Sequence, residues 1–233
     1  MGMTATSAYH QITLSGDRSQ RLQSAGAEVY DDLFPWVPRS QQNKPIFLDL
    51  NFRQREELAA LSSGFRFFIQ KDSSVAFQAE ENPSRAAIYK YGAQERMADF
   101  ILRQIRSVPQ HASVAVVTPT VGEAQTWFDL IEEDLAAYHR PALMSRRDDL
   151  TRRFTIHFSE VRETKGLEFD VVIVPNIGSF ALDTVVGRNQ AYVAISRAKH
   201  GLILGCTNEF VAGPAIETLV QNNLVCIRDI PSH

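Results

Sequence analysis

From Ile46 onward the chain alternates short apolar runs with longer segments in which apolar residues recur every three or four positions. Ile46-Phe47-Leu48-Asp49-Leu50 reads as a strand and Gln54–Ile69 as a helix. Ala87-Ile88-Tyr89-Lys90 is a short strand, followed by an amphipathic helix over Gln94–Arg106 that stops near Pro109. Val114-Ala115-Val116-Val117 is apolar without alternation, the pattern of a strand covered on both faces. Glu123–Tyr138 reads as a helix ended by Pro141, and Phe154-Thr155-Ile156-His157-Phe158 alternates like a half-buried strand. Val171-Val172-Ile173-Val174 is a second fully covered strand. Gln190–Lys199 reads as a helix leading into the strand Leu202-Ile203-Leu204, and a helix over Pro214–Gln221 and a strand over Leu224–Ile227 close the pattern. Parallel strands joined by crossover helices predict an α/β fold, a doubly wound parallel sheet flanked by helices. Such sheets gather ligands at the carboxyl ends of strands. Chemistry is therefore expected just after Leu50, Val117 and Phe158, and along the segment before Leu202.

Residues 1–45 follow a different pattern. A short strand, Gln11-Ile12-Thr13-Leu14, runs into Ser15-Gly16-Asp17. An irregular stretch with Pro35, Pro38 and Pro45 contains the polar run Arg39–Lys44, which reads as a linker. Two units are expected, residues 1–45 and residues 46–233.

Composition narrows the class. Of 233 residues 44% are apolar and 22% charged, an ordinary soluble balance with enough apolar side chains for a sizeable core. No run of 18 apolar residues and no signal peptide is present, so a cytoplasmic protein with no membrane partner is expected. Cys206 and Cys226 are expected as free buried thiols, and the scattered histidines have no zinc-ligand spacing. The net charge of −3 does not advertise nucleic-acid binding, although a local groove can be basic on an acidic protein.

The phosphate-cradling loop G-x-x-x-x-G-K-[ST] is absent, so a self-contained nucleotide hydrolase of that type is not expected. Four other segments carry candidate chemistry. Gly16-Asp17-Arg18-Ser19-Gln20 ends a strand, and alone reads as a turn. Asn51-Phe52-Arg53 follows an apolar strand, and alone offers an exposed helix-start arginine. Thr164-Lys165-Gly166-Leu167-Glu168-Phe169-Asp170 precedes the strand 171–174, and alone reads as a charged turn. Tyr192-Val193-Ala194-Ile195-Ser196-Arg197-Ala198-Lys199 places Tyr192, Ile195 and Ala198 at core spacing and turns Arg197 to another face. His157 reads as an ordinary strand residue.

In this order the four segments resemble motifs III, IV, V and VI of superfamily 1 helicases of the UvrD/Rep kind, over Ile12 to about Leu204. The resemblance implies the C-terminal RecA-like motor domain, called 2A, preceded in residues 1–45 by the tail of the first motor domain. In that family ATP lies between two RecA-like halves, and the second half completes the site from across the cleft. Arg197 matches the motif VI arginine finger, Arg53 the motif IV arginine, and Gln20 the glutamine that senses the γ-phosphate. Glu168 and Gly166 match the nucleotide-facing part of motif V, Glu168 resembling the ribose-hydroxyl acceptor of other nucleotide sites. Thr164 and Lys165 lie where the family couples nucleotide state to the nucleic-acid strand. Arginine suits the finger role because its planar fork meets two phosphate oxygens. Such a finger is worth roughly 10³–10⁵ in rate in nucleotide hydrolases generally. ATP with magnesium is the implied cofactor, its metal held by an N-terminal half that carries the phosphate loop.

The departures from the family are specific. No aromatic pair follows Gln20, Arg162 stands where the motif V histidine is usual, and the span from Asn51 to Lys165 leaves no room for the inserted 2B domain. The first expectation is therefore a compact 2A half of an ATP-dependent DNA helicase or translocase, inactive alone. Its partners are the N-terminal RecA-like half and single-stranded DNA. Arg53, Arg197 and Glu168 are expected to converge at strand ends on one face, with both guanidinium groups open to solvent. The alternative is a non-catalytic module that binds nucleic acid or a protein such as RNA polymerase. A small-molecule α/β enzyme has no nucleophile–base pair in its favour.

Overall fold

The computed structural model describes residues 56–65, 86–138 and 140–231. Gln20, Arg53, the strands expected at 11–14 and 46–50, and the division at residue 45 lie outside the described residues. The elements are α1 (Glu56–Gly64), β1 (Ala86–Tyr91), α2 (Gln94–Ser107), β2 (Val114–Thr118), α3 (Val121–Ala137), β3 (Ala142–Met144), β4 (Ile156–Glu160), β5 (Phe169–Val174), α4 (Val185–Ile195), β6 (Ala198–Thr207), α5 (Pro214–Gln221) and β7 (Val225–Asp229). Short 3₁₀ turns lie at Asp149–Thr151 and Ile177–Phe180.

The seven strands among the described residues pair in parallel, in the order β3-β4-β2-β5-β6-β1-β7. Successive side chains of a strand point to opposite faces, and the central strands show it. Ala115 and Val117 of β2, with Val172 and Val174 of β5, enter one core with Leu61 of α1, Tyr192 and Ile195 of α4 and Leu219 of α5. Val114 and Val116, with Ile173 and Phe158, enter the other core with Ile101 of α2 and Trp127 and Ile131 of α3. Helices thus cover both faces, which is why β2 is buried at all five positions, the apolar run Val114–Val117 and Thr118 after it. The arrangement is the doubly wound α/β sheet that the sequence predicts.

Local chemistry fixes the helix ends. Thr120 caps α3 by accepting from the Glu123 amide at 3.3 Å, while the Glu123 carboxylate reaches back to the Thr120 hydroxyl. Thr184 caps α4 by accepting from the Gly187 amide at 2.9 Å. The buried Arg140 closes the end of α2: its Nη1 donates to the carbonyls of Ile105 at 2.9 Å and Val108 at 3.1 Å.

Two expectations are corrected. The helix expected at Gln190–Lys199 is α4 over Val185–Ile195, and Ala198 already belongs to β6, opposite Phe169. Tyr192, Ile195 and Ala198 are all buried, as expected, but a helix followed by a covered strand gives the same spacing. The short edge strand β3 was not expected, since Ala142–Met144 is too brief to show a period. Both cysteines are free; Cys206 is buried, whereas Cys226 on the edge strand β7 is half-buried.

Candidate functional site

The segment after β4 makes a tight turn before β5 begins. Val161 still donates to the Thr118 carbonyl of β2 at 2.9 Å, and Leu167 closes the turn by donating to the Thr164 carbonyl at 3.0 Å. Thr164 is fully buried, and its hydroxyl donates to the Val161 carbonyl at 2.8 Å. Its side chain shapes the turn and does not reach outward. Lys165 beside it is exposed. Gly166 has φ +85°, the left-handed region that a residue without Cβ enters at no steric cost.

Arg147, from the segment after β3, holds this turn from the outside. Its Nη1 donates to the Lys165 carbonyl at 2.8 Å, and its amide donates to the Glu163 carboxylate at 2.9 Å. Nothing in the sequence distinguished Arg147 from its charged neighbours, because its role depends on two segments meeting in space.

Glu168 and Arg197 immediately precede β5 and β6, which are neighbours in the sheet. The Phe169 amide donates to the Arg197 carbonyl at 2.9 Å, which locks the two junctions together. The structure therefore brings Glu168 and Arg197 to one edge, as the motif order implies. That edge is the amino end of the strands, not the carboxyl end where a doubly wound sheet usually gathers ligands. The reason lies in the connections: the turn after β4 returns across the sheet before β5 starts, and α4 delivers Arg197 to the start of β6.

Arg197 also departs from expectation in its exposure. Only 2% of its surface is accessible. Its Nε donates to the Val193 carbonyl at 3.1 Å, its Nη1 to the Leu167 carbonyl at 3.3 Å and its Nη2 to the Ser196 hydroxyl at 2.9 Å. A buried guanidinium must have such partners, since an unpaired charge in the interior is expensive. Arg197, expected with its guanidinium open to solvent, is thus buried and tied to α4 and to the turn at Leu167. Glu168 is partly exposed, and its carboxylate lies 3.8 Å from the Lys199 Nζ.

Next to this pair sits a further carboxylate, the last residue of the Thr164–Asp170 segment. Asp170 accepts from the Ser113 amide and hydroxyl, both at 2.8 Å, and faces His200 at 3.8 Å. Burial pushes the Asp170 carboxyl up, but the Ser113 hydrogen bonds, with Lys199 and His200 near, outweigh it and leave the group below its ordinary value. Asp170 is thereby an ionised anchor tying β5 to the start of β2. His157 is a strand residue, as read, buried between the Ser145 hydroxyl at 2.8 Å and the Arg152 carbonyl at 3.0 Å. Among the described residues no group of His, Cys, Asp and Glu side chains is arranged to hold a metal ion, and no helix is long and apolar enough to cross a membrane.

Residues 155–204 match the family described as the UvrD-like helicase C-terminal domain. Among solved structures, the C-terminal domain of a possible DNA helicase from Lactobacillus plantarum WCFS1 is similar, with a TM-score of 0.52 and 18% identity over 76% of this chain and 99% of that one. At that identity the likeness speaks for the fold. A comparison with curated proteins finds no match. The matched segment runs from the strand before the Thr164–Glu168 turn to β6 beyond Arg197, and over those residues the chain is similar to the UvrD-like helicase C-terminal domain.

Proposed function

We propose that this chain is the C-terminal motor half of an ATP-dependent superfamily 1 DNA helicase or translocase, completing in trans an ATP site whose phosphate loop and magnesium ligands belong to an N-terminal RecA-like half. The observation that carries the reading is the meeting of Glu168 and Arg197 at the starts of neighbouring strands, inside the segment that matches the helicase family. ATP with magnesium would supply the phosphoryl group and its neutralising cation. The residues fit such a nucleotide in part: Glu168 offers a partly exposed carboxylate, and Gly166 presents exposed backbone with no side chain of its own, beside the Arg147 guanidinium. Arg197 fits only after its side chain leaves Leu167 and Ser196. Gln20 and Arg53 remain assigned to the same site by their motif positions, and Lys165 to the single strand.

The burial of Arg197 favours one second reading, a non-catalytic module in which that arginine is a structural tie between α4 and the turn, and the exposed face binds nucleic acid or a protein such as RNA polymerase. On the first reading the isolated chain binds ATP with millimolar affinity or weaker, because few contacts must offset the entropy of association. It also hydrolyses none above background. Isothermal titration and a phosphate-release assay with and without oligo-dT test both points. Micromolar binding, or turnover that Arg197→Ala abolishes, would contradict the half-site assignment.

A further inference from the structure

The exposed side of the Thr164–Glu168 turn carries a feature that the helicase motifs do not contain. Arg147 lies across Gly166: one tine of its guanidinium, Nη1, is fixed on the Lys165 carbonyl at 2.8 Å. The other tine, Nη2, sits 3.7 Å from the point a Cβ on Gly166 would occupy. Gly166 is itself exposed and presents bare backbone there. The Arg147 backbone is held by the Glu163 carboxylate, so the guanidinium is placed by two contacts before any ligand arrives. Lys165 extends from the same turn, and Arg146 and Arg162 flank it, all three exposed. Glu163 is half-buried and spent on the Arg147 amide; Asp148, Asp149, Glu160 and Glu168 are the other nearby carboxylates in sequence, of which Asp149 faces Arg152 and Glu168 faces Lys199.

We propose that Arg147, Lys165 and the bare backbone of Gly166 form a notch for one phosphodiester group of a single-stranded nucleic acid. An arginine fork with one side anchored loses less freedom on binding than a free side chain, and its second edge is shaped for a phosphate oxygen. A phosphate lying against Gly166 meets no Cβ there and lies beside the Arg147 guanidinium, and the Lys165 ammonium adds charge from the same turn. The notch rests on the reading that Lys165 faces the strand, and it adds to that reading a residue outside the motifs. The segment after β3 thereby becomes part of the strand surface.

The test is fluorescence anisotropy of labelled oligo-dT with the whole chain, from about 50 mM to about 200 mM monovalent salt, comparing wild type, Arg147→Gln and Lys165→Ala. Gln keeps an N–H donor for the Lys165 carbonyl and removes the charge. Each single-strand phosphate contact contributes about 0.7 to the slope of log K against log salt. Arg147→Gln is therefore expected to reduce that slope by about 0.7 and to weaken binding roughly eightfold at about 50 mM salt, with an unchanged melting curve. If Lys165→Ala loses affinity while Arg147→Gln keeps both affinity and slope, Arg147 only braces the turn and the notch is overturned, with the strand reading intact. If neither variant changes binding, the strand reading falls and the notch with it. If Arg147→Gln instead weakens ATP binding and leaves oligo-dT untouched, the phosphate belongs to a nucleotide and the proposal is overturned.

Discussion

At the scale of single residues, Arg197 is the side chain whose sequence reading and structural setting differ most. Its place in Ser196-Arg197-Ala198 resembles that of the motif VI arginine, yet its guanidinium donates to Val193, Leu167 and Ser196. Sequence shows residue type and order, and both were legible; it does not show how an arginine at a helix–strand junction spends its donors. In the proposed motor, reaching a phosphate breaks the Leu167 contact, so the finger and the Thr164–Glu168 turn cannot both keep their present partners. His157 gives a residue-scale prediction of another kind. Burial holds its imidazole below the ordinary value of 6.5, so the unfolded chain binds the proton more readily. Stability is then fully present above pH 6.5 and is lost as pH falls below 6.5 toward the lower folded-state value. Urea denaturation between pH 8 and pH 5 should show this decline, and His157→Gln should flatten it. An unchanged decline in the variant would place the sensitive group elsewhere.

Among the elements, most of the strands and helices were legible, because a covered central strand and an amphipathic helix each impose a period on the sequence. The run Val114–Val117 gave β2, and Gln94–Arg106 gave α2 to within a residue or two. What failed were junctions. Helix α4 starts five residues earlier than its expected Gln190, and its cap explains why: Thr184 binds the Gly187 amide, a signal that a core-spacing argument starting from Tyr192 overlooks. Gly187 packs so closely on the Phe180 and Ala181 carbonyls that a Cβ would collide with backbone. Gly187→Ala should therefore destabilise the domain by about 1–3 kcal/mol, the usual cost of overpacking, or more because backbone must shift. A chemical denaturation midpoint equal to wild type would show that α4 can slide away from the turn at Ile177–Phe180. Arg140 was equally invisible in the sequence. Replacing it with Met removes the donor for the Val108 carbonyl and one of two donors to the Ile105 carbonyl, which keeps the Val108 amide, and an acceptor left without a partner costs about 1–3 kcal/mol. The loss should appear in thermal melts, with no change in strand affinity.

At the scale of the molecule, seven parallel strands among the described residues carry helices on both faces, and the candidate site occupies the edge where β5 and β6 begin. The α/β class followed from the alternation of elements. The strand order and the use of the amino edge did not, because both depend on which connections cross the sheet and where the turn after β4 returns. In the proposed motor, Arg197 completes an ATP site from across a cleft. The most direct measurement is kcat for ATP hydrolysis, beside the single-strand dissociation constant at fixed salt, in the chain joined to its phosphate-loop half, for wild type and Arg197→Lys. A lysine keeps the charge but not the two-oxygen fork, so kcat should fall by roughly 10³-fold or more, while strand affinity without nucleotide stays within about twofold of wild type. A variant that keeps its kcat and loses strand affinity would place Arg197 in the strand surface and contradict the account.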